Sequence, residues 1–332
     1  MNQQHPIAPG HSPSQREALR DALAYPKEQI EEVLRPYLGK AQRMPLDSHE
    51  WRNVVAAESA KRKVTTRYWR KRLLGWSEPK RARADRVEST YSRIWSEADL
   101  SAIGDPARNQ MPHQWRHEGF LLNSAATQKM QLDLAARAVR FLRPASVLEV
   151  GSGWGHNLLV LGCQCPDTQV HGVELTTTGV ELTRSLTAAA DLPESVRAFI
   201  TEPVRDPSGY RRVTVQQGSA ERLPFSDDSF DFVMTRLALE QMESIRETAL
   251  SEIARVTRRH VLMIESFREE NDWGLRRQYA IGSDYFRGAI ADLPRYGLEP
   301  VFTFCDWPHK ITLKPVFVLA EKAGASARPV LQ

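Results

Sequence analysis

The chain predicts an α/β fold: a seven-stranded, mostly parallel sheet with an antiparallel C-terminal hairpin, preceded by a helical region. Three observations carry this. From about residue 124 onward, short apolar runs alternate with helix-length segments, the pattern of strands joined by crossover helices. One of those runs, Ser146–Val150, passes directly into Gly151-Ser152-Gly153-Trp154-Gly155. Before Asn123 the pattern is helical, with neither strand alternation nor an internal repeat.

Taken in order, residues 1–14 are polar and proline-containing, without the apolar stretch of a secretory leader, and are expected to form a disordered tail. Residues 15–123 are expected to be a helical accessory region that caps the substrate site. Helix-like segments at 15–24 and 27–38 are parted by Pro26 and stopped by Gly39. Ser48 opens a longer candidate at Trp51, which runs to a stop near Gly75. Five of the eight tryptophans fall in this region: Trp51, Trp69, Trp76, Trp95 and Trp115. From Lys61 to Arg86 there are eleven Lys or Arg residues against two acids, Glu78 and Asp85. Such a cluster suits a phosphate-bearing partner, an anionic membrane surface or a solvated helix face.

Residues 124–325 are expected to hold the sheet. Met130, Leu134, Ala138 and Phe141 recur at helical spacing until Pro144 ends the run. Strand candidates follow at Ser146–Val150, Gln169–Glu174, 212–216, 230–235 and 260–265, with a late hairpin pair at 301–304 and 315–320. Residues 191–211, with Pro193, Pro203, Pro207 and Gly209, read as a surface insertion.

With 41% hydrophobic and 26% charged residues, the chain has the make-up of a folded domain, and no apolar run is long enough to cross a bilayer. A cytoplasmic protein, not an integral membrane one, is expected. Cys163, Cys165 and Cys305 are too few, and odd in number, for a disulfide framework; the first two read as buried small side chains. His113 and His117 would share a face if helical. No full metal motif surrounds them, and no metal is expected.

The glycine-rich turn after the first sheet strand carries the functional argument. Ligands of open α/β sheets bind beyond the carboxyl ends of the strands, where this turn lies. Its order is G-x-G-x-G, not the dinucleotide pattern G-x-G-x-x-G, and an acid, Glu149, precedes it. A carboxylate there would repel a diphosphate but suits a cationic amino-acid group. Glu174 ends the second strand, where a carboxylate can accept from ribose hydroxyls. Thr178 with Glu181 has the spacing of a capping box for the next helix.

The segment Val147-Leu148-Glu149-Val150-Gly151-Ser152-Gly153-Trp154-Gly155 resembles the first motif of the class I S-adenosylmethionine-dependent methyltransferases, whose fold is Rossmann-like. Residues 218–231, from Gly218-Ser219-Ala220 to Phe230-Asp231, resemble a later motif of the small-molecule branch, and Leu239-Glu240-Gln241 follows the fourth strand. The resemblance is firm from about 128 to 267, weaker to 323, and covers little of the first 120 residues.

The resemblance implies S-adenosylmethionine as cofactor. Gly151, Ser152, Gly153 and Gly155 would line its methionine part near Glu149; Glu174 would hold the ribose, and Leu175 would lie against the adenine. Ser219 and Ala220 would border the adenine, and Thr235 would sit beneath the sulfonium. Ser219 stands where the family often has Asp, an uncharged and weaker acceptor. For a hydroxyl acceptor that needs a base, Glu240 and His117 are the candidates. The segment Thr235-Arg236-Leu237-Ala238 lacks the Asn-Pro-Pro-Tyr type motif, which counts against N-methylation of a nucleobase or glutamine. The expected partner is a small-molecule or saccharide substrate. Alternatives are a nucleic-acid substrate guided by residues 61–86 and a non-catalytic cofactor-binding subunit serving a partner protein.

Overall fold

The structure, a computed structural model, describes residues 13–38, 42–75, 80–100, 103–201 and 203–324, without the side chains of Pro13, Arg16 and 80–84. The expected tail lies outside these up to residue 12, as do Gly39, Trp76 and Glu78. The elements run α1 (Pro13–Ala22), α2 (Lys27–Leu38), β1 (Arg43–Pro45), α3 (His49–Lys61), α4 (Val64–Leu74), α5 (Lys80–Ser96), β2 (Gln110–Trp115) and β3 (Glu118–Asn123). There follow α6 (Ala125–Leu142), β4 (Ser146–Val150), α7 (His156–Gln164), β5 (Gln169–Glu174), α8 (Thr177–Thr187), α9 (Glu194–Arg197), β6 (Thr214–Gln217) and β7 (Phe230–Arg236). The chain closes with α10 (Arg246–Val256), β8 (Thr257–Glu265), α11 (Arg268–Asn271), α12 (Gly274–Ser283), β9 (Leu298–Phe304), β10 (His309–Lys310) and β11 (Val316–Lys322).

Seven strands form the main sheet in the order β6-β5-β4-β7-β8-β11-β9. All pair in parallel except β11, which is antiparallel to both β8 and β9. The chain moves outward from β4 through β5 to β6, then returns to β7 on the other side of β4. That reversal opens a crevice at the carboxyl ends of β4 and β7, where open α/β sheets bind ligands. Successive strand residues serve opposite faces: Val147 packs with α6 and α7, Leu148 and Val150 with α10. Each face is covered by helices, as a parallel sheet requires.

The region before residue 124 departs from the helical expectation. β2 and β3 form a hairpin, β1 pairs with β3 and β10 pairs with β2, giving a four-stranded antiparallel sheet. The segment expected to continue the C-terminal hairpin turn instead sends out β10 to this second sheet. Trp115 Nε1 donates to Asp306 Oδ1 at 2.8 Å and Arg116 pairs with Asp306 at 2.9 Å, tying the hairpin to the same connection. The helices α1 and α2 place Leu19, Leu23, Ile30, Leu34 and Tyr37 in the core that also contains Val147 and Leu158. The two parts of the chain therefore share one core.

Smaller differences have local causes. The long helix expected from Trp51 divides at Lys63, whose φ of 52° is left-handed, and Gly75 ends its second half as expected. Ser48 does cap α3, accepting from Trp51 N at 3.1 Å. At α8 the cap is Thr176, which accepts from Gly179 N at 3.2 Å, not the Thr178–Glu181 pair. Residues 191–211 are more than a surface insertion, because Phe199 and Tyr210 are buried in the main core.

Candidate functional site

The turn after β4 is built by backbone hydrogen bonds and by one carboxylate. Gly151 N and Ser152 N both donate to the Val173 carbonyl of β5, at 2.8 and 3.1 Å. Glu174 accepts from Gly153 N at 2.9 Å, from Thr176 N at 3.1 Å and from Thr176 Oγ1 at 2.8 Å. The last residue of β5 thus fixes both the glycine turn and the start of α8. Gly151 and Gly153 have φ of 75° and 56°, values at which a side chain is strained. They are also crowded: a Cβ on Gly151 would lie 2.6 Å from Ala238 Cβ, and one on Gly153 would lie 2.9 Å from Trp95 Cζ2. The second contact brings α5 over the turn.

These residues line a cavity of about 980 Å³ at the carboxyl ends of β4, β5 and β7. Of the residues singled out from the sequence, Gly151, Ser152, Gly153, Glu174, Leu175, Ser219 and Ala220 lie in its wall. Gly155 stands just behind it as the N-cap of α7, with φ of 81°. Glu149 lies behind the wall, fully buried, where Asn157 Nδ2 donates to its Oε1. Burial pushes the Glu149 carboxyl up to about 8 despite that hydrogen bond and the nearby Arg236 charge. Thr235 is also fully buried and off the wall, which its strand neighbour Arg236 occupies.

His117 does not reach this site. The segment is a hairpin, not a helix, so His113 points inward and is fully buried while His117 is exposed beside the β2–β3 turn. Burial drives the His113 pKa down to about 4, which keeps that ring neutral. No group of three or more His, Cys, Asp or Glu among the described residues is placed to hold a metal ion.

The far end of the cavity was not legible in the sequence. Tyr91 of α5, Gln241 after β7 and Lys310 of β10 converge in its wall. Glu240 stands behind them: burial raises its carboxyl to about 7, although the Lys310 charge and a hydrogen bond with Gln241 pull it down. Gln241 also hydrogen-bonds Tyr91 and Tyr285, whose phenols are both pushed up by burial and by the charge of Glu240. Lys310 is pushed down by burial, with Glu240 opposing. Arg236 lines the junction of the two ends; its Nε donates to Gln131 Oε1 at 3.0 Å, and burial lowers its pKa to about 10. Below it, Glu265 Oε1 accepts from Ala238 N and Leu239 N at 3.0 and 3.2 Å, pinning the loop after β7 as Glu174 pins the glycine turn. Leu237 in that loop has a left-handed φ of 51°, an uncommon conformation for such a side chain.

A glycine turn held by a strand-end carboxylate lies at the switch point of this sheet, the place where open α/β sheets bind ligands. Residues 148–264 match the family model of a methyltransferase domain. The chain is 27% identical over 165 residues to the uncharacterized methyltransferase YcgJ of Bacillus subtilis (strain 168). That match spans 49% of this chain and little more than half, 57%, of the relative. The crystal structure of YcgJ itself is similar at 19% identity and a TM-score of 0.42, covering 58% of this chain and 97% of that one. The [4+2]-cyclase SpnF gives 15% identity and a TM-score of 0.48 over 72% of this chain and 97% of its own. Magnesium protoporphyrin IX methyltransferase from Synechocystis PCC 6803, solved with bound SAM, gives 13% and 0.41 over 60% and 85%.

Proposed function

We propose that the chain transfers a methyl group from S-adenosylmethionine to an oxygen or nitrogen of a small-molecule or saccharide acceptor. The observation that supports this is one cavity with two unlike sets of lining residues: a glycine turn with Glu174, Leu175 and Ala220, and the polar side chains of Tyr91, Gln241 and Lys310. The first set fits the cofactor. Its turn packs this closely against Ala238 and Trp95 only because Gly151 and Gly153 carry no Cβ. Glu174 already accepts three hydrogen bonds, and a carboxylate offers about four lone-pair positions, so it keeps capacity for one ribose hydroxyl. Leu175 and Ala220 supply apolar surface for the base, and Ser219 a hydroxyl at its edge.

The cofactor, when bound, supplies a methyl group activated by its sulfonium, and the rate of such in-line transfer depends chiefly on placement. Lys310 and Tyr91 orient the acceptor, the phenol staying protonated and able to donate. Glu240, poised near neutrality behind that wall, would receive the acceptor's proton through one intervening water; a base of that pKa is well matched to work at pH 7. Trp95 and Tyr91 of α5 close the cavity over the turn and keep water out.

The test is to incubate purified protein and isotope-labelled S-adenosylmethionine with a fractionated extract. A labelled product of low mass, absent with Gly151→Ala, is expected. No heat on titration with S-adenosylmethionine or its demethylated product would overturn the reading.

A further inference from the structure

α4 presents two unlike faces, and only one of them is docked. Val64 packs with Tyr279 and Leu313, Gly282 of α12 lies against Arg67 and Tyr68, and Lys71 pairs with Asp284. At 100° per residue, Trp69 and Leu73 fall on the opposite side, one turn apart. Trp69 is 49% exposed, and Leu73 and Leu74, at 75% and 71%, are the most exposed large apolar side chains among the described residues. Beside them Arg70 and Arg72 are exposed, and no acid occurs in the sequence from residue 61 to 77. Arg70 and Arg72 flank the Trp69–Leu73 stripe on its two sides.

Neither feature alone specifies a ligand; together they do. Cations alone would suit any polyanion, including nucleic acid, but phosphates gain nothing from two solvent-facing leucines. Trp69 sits edge-on to Tyr68, ring centroids 5.3 Å apart, which holds it within the stripe. An apolar stripe bordered by arginine and lysine matches the boundary between acyl chains and acidic headgroups.

We propose that α4 docks the protein on an anionic lipid bilayer, with Trp69, Leu73 and Leu74 entering the interface and the flanking cations meeting the headgroups. This goes beyond methyl transfer and stands or falls separately from it.

The test is co-sedimentation of the full chain with vesicles of phosphatidylcholine alone or in equal parts with phosphatidylglycerol. Binding to the mixed vesicles is expected to exceed binding to the neutral ones about tenfold or more, and to fall as salt shortens the Debye length. The double variant Leu73→Asp/Leu74→Asp alters only exposed positions and should reduce binding about tenfold, while its circular dichroism and its heat with S-adenosylmethionine stay unchanged. Arg70→Glu/Arg72→Glu should abolish the preference for phosphatidylglycerol. Equal binding to both vesicles, or wild-type binding by the leucine variant, would overturn the proposal. Salt-sensitive RNA binding that survives the leucine changes would assign the face to nucleic acid. Self-association removed by those changes, without vesicle binding, would assign it to a second copy of the chain.

Discussion

Buried carboxylates organise the cavity residue by residue, and each makes a distinct pH prediction. Glu149 and Glu265 are both raised to about 8 by burial. A carboxyl whose pKa is higher in the fold than in the unfolded chain favours folding at acid pH, and that contribution is lost as pH climbs through the folded value. The window runs from the ordinary 4.5 to about 8. The melting temperature should therefore fall by a few degrees between the acidic and alkaline ends of that range. In Glu149→Gln, which can still accept from Asn157, the fall should be smaller; an unchanged slope would show that the carboxyl is ionised in the fold.

Glu240 carries the second prediction. A base acts only when deprotonated, so activity should rise with pH through about 7 and then level. Glu240→Gln keeps a side chain that can bond Gln241 but cannot take a proton. It should lower kcat by about a hundredfold or more and remove that limb of the profile, with the cofactor KM unchanged. An unchanged profile would make Glu240 a merely structural neighbour of Lys310.

At the scale of elements, the strand–turn–helix around the glycine turn was legible because its signals are local. The apolar run of β4, the glycines and the acid ending β5 lie close in the chain. Gly153 is where this unit meets α5: Gly153→Ala would put a methyl group against Trp95 at a left-handed φ. A strain of about 1–2 kcal/mol for an L-residue in that conformation should weaken cofactor binding about tenfold, measurable by calorimetry. Adding Trp95→Ala should restore only the part due to crowding.

Where the sequence misled, the cause was a signal too short or too distant. β1 has three residues and β10 two, below the length at which alternation can be counted. In β2 and β3, buried residues such as His113, Asn123 and Gly119 break the apolar pattern, so the hairpin reads as irregular. That error turned His113 and His117 into a helical pair. Tyr91, Gln241 and Lys310 come from three parts of the chain and share no local motif, so only the folded arrangement brings them together.

For the whole molecule, the boundary expected near residue 124 does not separate two cores. Leu19, Leu23, Ile30, Leu34 and Tyr37 belong to the principal core, and each fully buried aliphatic side chain contributes about 1.5–3 kcal/mol. A chain begun at residue 124 should consequently be insoluble or unfold at a much lower temperature, monitored by thermal denaturation. The intact protein should melt in a single transition. Two separate transitions would mean that the helices α1 and α2 ride on the sheet without supporting it.

The pairing of β2 with β10 also bears on synthesis. Gln114 and His309, in contact across that edge, lie 195 residues apart in the chain. On the ribosome, β2 must wait with an open edge until nearly the whole polypeptide has emerged, and unpaired edges are where nascent chains aggregate. Interrupting translation after β8 but before residue 309 should leave nascent chains markedly more dependent on chaperones than the finished protein.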